Sequence, residues 1–316
     1  RLGPKKRNLG CIRKRIKRLG MKIIKKYLMN FSYVLEASFI LFLLNILKIF
    51  PYRVRILTGS IIFRFFISPL TGNKKRIENN LNLVLPNIPE NDKKKLIKNC
   101  LNNIGMTMFE LLSPNDFKLA GQKANVLGPG ISLLEKARAN SQPVILVSGH
   151  FGNYDVVRAN LISKSYQLGA LYRPMNNPYF NKTYVKNISE IGRPLFPRGK
   201  KGMAEMMKFL RDGNFIALLI DQHQHKSRGE PLKFFGKTAF TATSAAKMAI
   251  KYNAIFMPFF VVRKGKTSNF DLHFEEPIEH SDPIKMTQEF NDRLESRVKA
   301  NTDQWLWTHK RWKNAM

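Results

Sequence analysis

The sequence predicts an α/β protein with a mixed, mostly parallel central sheet flanked by helices, preceded by membrane-associated helices. Three observations carry this expectation. From about residue 140, short apolar runs alternate with helix-like segments, the pattern of a sheet covered on both faces. Before residue 70, uncharged apolar stretches sit among basic residues. The chain has 316 residues and 44% hydrophobic content, enough for a sizeable core, which excludes a disordered chain.

The elements run in order. Residues 1–26 hold twelve Lys or Arg and no acid, and the first carboxylate is Glu36. ASFILFLLNIL, residues 37–47, and ILTGSIIF, residues 56–63, are apolar but shorter than the roughly 18–20 uncharged residues of a confident bilayer span. They are expected to form a short anchor or two interfacial helices, with a pair of buried core helices as the alternative. The positive-inside bias puts the N-terminus in the cytoplasm. The chain thus divides into a basic segment, 1–30, anchor helices, 31–70, and an α/β domain, 71–316. KKRIENNLNLVLP and ENDKKKLIKNCLNNIGMTMFELL carry apolar positions at helical spacing. Strands are expected at VILVS (144–148), LGALY (168–172), RPLFP (193–197), FIALLI (215–220), AIFMPFFVV (254–262) and DLHFEEP (271–277). NYDVVRANLISKSYQ, GMAEMMKFLRDGN and TATSAAKMAIKYN are the helices between them, the last with Thr241 or Thr243 as N-cap.

Lys and Arg number 54 against 22 acids, a formal charge of +32. Such an excess suits a polyanionic partner: nucleic acid, an anionic membrane surface or an acidic protein. Part of it is Lys- and Asn-rich compositional bias. The two cysteines, Cys11 and Cys100, form neither a disulfide framework nor a CxxC motif.

The residues just past the strands point to a site. VILVS runs into Gly149 and His150, LGALY into Arg173, RPLFP into Arg198 and FIALLI into Asp221. In an open α/β sheet ligands bind at the carboxyl ends of strands, so these residues converge on one edge. Asp155 falls about one helical turn beyond His150, where its carboxylate can accept a hydrogen bond from one imidazole nitrogen and leave the other free to take a proton. The spacing alone suits a buried histidine beside a helix-capping aspartate at least as well. No GxSxG elbow is present, so the attacking group is expected to be a substrate hydroxyl.

Two readings from other classes stay open. DQHQH sets Asp221, His223 and His225 at alternate positions, which on an extended segment could ligate a metal for hydrolysis, although the adjoining KSRGEPLKFFG reads as a loop. The +32 charge alone gives salt-sensitive nucleic-acid affinity, yet no zinc finger, RNP-like box or basic zipper accompanies it. The terminal WLWTHKRWK would put Trp305, His309 and Trp312 on one helical face, for a membrane interface, an acyl-chain rim or ordinary packing.

HFGNYD resembles the H-x-x-x-x-(D/E) box of the lysophospholipid acyltransferase superfamily and, more narrowly, of the lipid A late acyltransferases, the lauroyl and myristoyl transferases. The likeness extends through KKRIENNLNLVLP, YRPMNNPYFN, FPRGKKGMAEMMKFLRDGNFIALLIDQ, KFFGKTAFTATSAAKMAIKYNAIFMPFFVVR and QWLWTHKRWK. The resemblance implies transfer of a fatty acyl group from an acyl carrier protein thioester to a hydroxyl of a lipid A precursor of the Kdo-lipid IVA type. It implies His150 as general base and Asp155 as its orienting partner, with Arg173, Arg198, Asp221 and Asn153 on the substrate. It implies no metal, no cofactor and a place on the cytoplasmic side of the inner membrane, facing anionic lipid rather than a specific nucleic acid. Many relatives carry Glu where Asp155 stands, and the superfamily accepts either. Acyltransferases acting on another glycolipid or on lysophospholipids share much of this pattern.

Overall fold

In the computed structural model the protein is described over residues 4–313; before Tyr27 only the backbone and the side chain of Met21 are described. The Lys and Arg side chains of the basic segment, and that of Cys11, lie outside the described residues. The chain divides into two compact units, one comprising the chain up to Ile49 with Met175–Val185, the other Phe50–Pro174 with Lys186 onward.

The first unit is dominated by α1 (Pro4–Leu47). Its stretch Tyr27–Leu47 has 21 residues of mean hydropathy 1.6 and is almost wholly exposed. It is longer than the eleven-residue apolar run because the helix carries straight through Glu36, and it is long and apolar enough to cross a bilayer. In this unit Asn177 donates its carboxamide N–H to the Tyr33 carbonyl (2.9 Å) and to Glu36 (3.1 Å).

The second unit opens with α2 (Tyr52–Ile62), a π-helical turn (Phe63–Ile67) and α3 (Ser68–Thr71), which together give a second apolar span, Tyr52–Thr71. Next come α4 (Asn73–Val84), α5 (Glu90–Leu111), α6 (Pro114–Gln122), β1 (Asn125–Leu127) and α7 (Ile131–Ala139). The α2 rod packs on α5 backbone to backbone: a Cβ on Gly105 would lie 2.7 Å from the Ser60 Cα, and one on Gly59 would enter the Phe109 ring. Its other side leaves Ile61, Phe65, Phe66 and Leu70 exposed.

The expected alternation then appears: β2 (Val144–Ser148), α8 (Val156–Ser163), β3 (Leu168–Tyr172), α9 (Pro178–Ile191), β4 (Leu195–Pro197), α10 (Lys200–Arg211) and β5 (Phe215–Leu219). The chain closes with β6 (Glu230–Phe234), β7 (Lys237–Thr241), α11 (Ser244–Lys251), β8 (Ile255–Arg263), β9 (Phe270–Phe274), α12 (Pro283–Ala300) and a 3-10 turn, Thr302–Gln304. Seven strands form one sheet in the order β1-β9-β8-β2-β5-β3-β4, parallel except where β8 meets β9. β2 is buried along its whole length, with Val144 and Leu146 in one hydrophobic cluster and Ile145 and Val147 in the other. A two-residue period buried on both faces is what helices on either side of a parallel sheet require.

Two sequence expectations change, and a third holds in position only. KSRGEPLKFFG contains β6, which pairs with β7 in an antiparallel hairpin. Thr243 holds the N-cap position of α11 without a side-chain hydrogen bond, while the Thr241 hydroxyl donates to the Ala239 carbonyl. WLWTHKRWK is not helical, and Trp305, Trp307 and Trp312 are each at most 1% exposed, so they are core residues rather than an interfacial belt. They interlock with Phe234 and Phe235 of the hairpin, and the Trp312 indole donates to the Phe234 carbonyl (3.1 Å).

Candidate active site

The register of the two central strands builds the site. β2 and β5 run parallel with Ser148 opposite Leu219, so His150 and Asp221 are the next positions in phase, each two residues past the last pair. The His150 Nδ1 lies 2.7 Å from Asp221 Oδ1, and the His150 backbone N–H donates to Oδ2 (2.8 Å). The Trp305 indole N–H donates to the same Oδ2 at 2.9 Å. Gly149 leaves room for this arrangement, since a Cβ there would stand 3.0 Å from Asp221 Oδ2 and 2.9 Å from Leu294. Burial alone would push the Asp221 carboxyl up; the His150 charge and the donated hydrogen bonds outweigh it and hold the group down to about 2. A buried carboxylate that accepts from Nδ1 fixes the tautomer in which Nε2 bears the lone pair. The imidazole side chain is 20% exposed, against 3% for Asp221, so the ring reaches solvent from a buried anchor.

Asp155 is therefore not the partner of the imidazole. Its backbone continues from the box into the first turn of α8, and its carboxylate accepts from Arg158 at 2.7 Å, one helical turn along the same element. Arg158, itself buried, also donates to the Ile188 and Gly192 carbonyls. The helical turn that brings Asp155 near His150 in sequence directs its side chain away, whereas the parallel register delivers Asp221 across the strand gap. Asn153 also departs from the substrate-binding expectation. It is fully buried, donates to Glu110 (2.8 Å) and accepts from the Asp155 backbone N–H (3.3 Å). Glu110 is held in turn by Arg263, Ser268 and Asn153, a buried network that fastens the box to α5 and β8.

Arg173 and Arg198 leave the ends of β3 and β4, the strands next to β5, and the Arg198 N–H donates to the Tyr172 carbonyl (2.8 Å). Both side chains are exposed on the edge that carries the dyad. His223 and His225 do not converge with Asp221: the His223 backbone N–H goes to His309, and His225 pairs with Ser227. Among the described residues no three metal-ligating side chains gather. A cavity of about 240 Å³ between α2 and the β8–β9 turn, lined by Tyr52, Arg53 and Lys266 among others, contains neither His150 nor Asp221.

Sequence reasoning missed three members of the site. The pattern leaves Trp305 between a membrane interface, an acyl-chain rim and ordinary packing, Gln222 stands 3.3 Å from His150 Nε2, and the Tyr154 ring meets the imidazole edge-on at 5.4 Å. Gln222 was signalled by its place directly after Asp221. Trp305 carried no local signal, because 84 residues separate it from the carboxylate it supports.

A histidine held by a buried carboxylate thus stands at a strand edge, and comparison with known proteins shows which family the chain resembles. A sequence profile for bacterial lipid A biosynthesis acyltransferases matches residues 21–314. A lipid A biosynthesis acyltransferase of Haemophilus influenzae is 21% identical over 271 residues, 84% of each chain. The Escherichia coli lipid A biosynthesis lauroyltransferase is 23% identical over 272 residues, 83% of this chain and 85% of its own. The E. coli myristoyltransferase is 22% identical over 184 residues, 57% of each chain. With nearly the whole chain matched, this protein belongs to the bacterial lipid A biosynthesis acyltransferase family.

Proposed function

We propose that this acyltransferase moves a fatty acyl group from an acyl carrier protein thioester to a hydroxyl of a Kdo-lipid IVA-type precursor, with His150 as general base and Asp221 as its orienting partner. The observation that carries the reading is the 2.7 Å contact between His150 Nδ1 and Asp221, which leaves Nε2 with its lone pair on the side away from the carboxylate. The acceptor hydroxyl donates to Nε2 and loses its proton there as its oxygen attacks the thioester carbonyl carbon. The tetrahedral intermediate collapses by breaking the carbon–sulfur bond, and the imidazolium returns the proton to the departing thiolate. Asp221 stabilises the imidazolium without taking its proton. General-base catalysis of this kind contributes about 10²–10⁴ in rate.

Arg173 and Arg198 are suited to the phosphates of the precursor, since guanidinium groups recognise phosphate bidentately. Asp155 acts at one remove, holding the box through Arg158. Residues 71–316 form the catalytic part, and the two apolar helices hold it on the cytoplasmic face of the inner membrane. The excess positive charge then faces two polyanions, the lipid headgroups and the acidic carrier protein.

The test is transfer by the purified protein in detergent, with acyl carrier protein and coenzyme A thioesters offered separately and product mass read out. Acylated precursor formed from the carrier-protein thioester, and none formed by His150→Ala, is the expected result. Transfer from coenzyme A alone would overturn the donor assignment, and turnover by His150→Ala would overturn the chemistry.

A further inference from the structure

His309 plays no part in the proton transfers at His150, yet it touches the segment that closes over the base. Gln222 directly follows Asp221, and its carboxamide nitrogen lies 3.3 Å from His150 Nε2. Because Nδ1–H is given to Asp221, Nε2 presents a lone pair, so it is the amide N–H rather than the amide oxygen that faces it. The next residue, His223, donates its backbone N–H to His309 Nε2 at 2.8 Å. An imidazole that accepts at Nε2 is neutral and carries its proton on Nδ1. Burial depresses the His309 pKa to about 4, against an opposing pull from Asp221, so this acceptor persists at neutral pH. His309 is itself anchored: its carbonyl accepts from the Asn80 carboxamide (2.9 Å), and its N–H donates to the Leu306 carbonyl (3.2 Å). The C-terminal segment therefore supplies a fixed acceptor from which the turn after β5 hangs.

We propose that His309 is a positioning residue for acyl transfer: by accepting the His223 amide it holds the Gln222 carboxamide at the reactive nitrogen of His150. Once the acceptor hydroxyl takes the place at Nε2, the Gln222 N–H is available to the oxygen that gains charge as the thioester carbonyl is attacked. A donor aimed at developing charge lowers the barrier only when it is held in place beforehand. The inference rests on His150 as the base.

The experiment compares full-length His309→Phe, His309→Gln, Gln222→Leu and His150→Ala in detergent, by steady-state kinetics and thermal unfolding. Phe keeps a ring but no acceptor, whereas Gln can offer Oε1 where Nε2 stood. His309→Phe and Gln222→Leu are expected to lose about a hundredfold in kcat, the scale of an ångström-sized misplacement, with KM for the thioester unchanged. His309→Gln is expected to recover most of that loss and to unfold at the wild-type temperature. A wild-type kcat in Gln222→Leu overturns the proposal, as does a His309→Gln variant that unfolds normally but turns over as slowly as His309→Phe. Should His309→Phe unfold early, His309→Gln and Gln222→Leu decide the matter. Turnover by His150→Ala would instead remove the base assignment, so the two failures are distinguishable.

Discussion

Asp155 and Asp221 make opposite demands on experiment although both are buried carboxylates near one histidine. Asp221→Asn keeps the shape but can no longer select the Nδ1–H tautomer, and kcat is expected to fall about 10⁴-fold, as in other carboxylate-oriented histidines. Asp155→Ala strands the Arg158 guanidinium, whose side chain is 3% exposed. Removing one partner of a buried pair costs about 3–5 kcal/mol, so the expected signature is a lowered urea midpoint with kcat retained in the folded fraction. A variant pair with these two outcomes exchanged would reverse the assignment of roles. His150 was legible in the sequence because a strand, a glycine and a histidine are contiguous. Asp221 was legible as an edge residue but not as the partner, since proximity of 71 positions depends on strand pairing.

Among the elements, the box is held as a laced loop rather than as a helix start. Gly152 adopts φ 56°, and a Cβ there would run into the Val261 carbonyl oxygen. Its N–H donates to the Gln304 carbonyl, while the Leu306 N–H donates to the His150 carbonyl. Gly152→Ala is expected to cost about 1–3 kcal/mol through the left-handed backbone and to slow transfer by shifting His150, measured by urea unfolding beside kcat. The α2 rod makes a second prediction at this scale. Its inner side is closed by Gly59 and Gly105, and its outer side carries Phe65 and Phe66. Replacing both phenylalanines by Ser is expected to weaken partition into phospholipid vesicles while leaving turnover on detergent-dispersed substrate unchanged, since each buried Phe is worth about 1.5–3 kcal/mol. The central strands and the helices α8, α10 and α11 were legible, because apolar runs of strand length alternate with 3.6-residue periodicity; α9 was not among those expected. The β6–β7 hairpin was not: EPLKF reads as loop until its partner strand and the tryptophans behind it are in place.

For the molecule as a whole, acid sensitivity follows from groups buried in their neutral or charged forms. His309 titrates at about 4 in the fold against 6.5 in the free side chain, so between these values the unfolded chain binds the extra proton and stability drops as pH falls. Asp221 titrates at about 2 against 3.8, so its contribution is complete above 3.8 and is lost as pH falls through about 2. The urea midpoint is therefore expected to decline from pH 6.5 downward, and His309→Gln should flatten the limb between 6.5 and 4 while leaving the lower one. A midpoint independent of pH across that interval would contradict the burial of His309.

Composition and pattern alone determined a basic α/β protein with apolar N-terminal helices, a mostly parallel sheet and a strand edge marked by His150, Arg173, Arg198 and Asp221. These are properties of residues close in the chain, where period and punctuation carry the information. Only the tertiary structure decided which carboxylate pairs with the histidine, what buries the terminal tryptophans and what lies beside His150 Nε2. Each of those depends on strand register or on a C-terminal segment folded back through the core, and neither distance is written in local sequence.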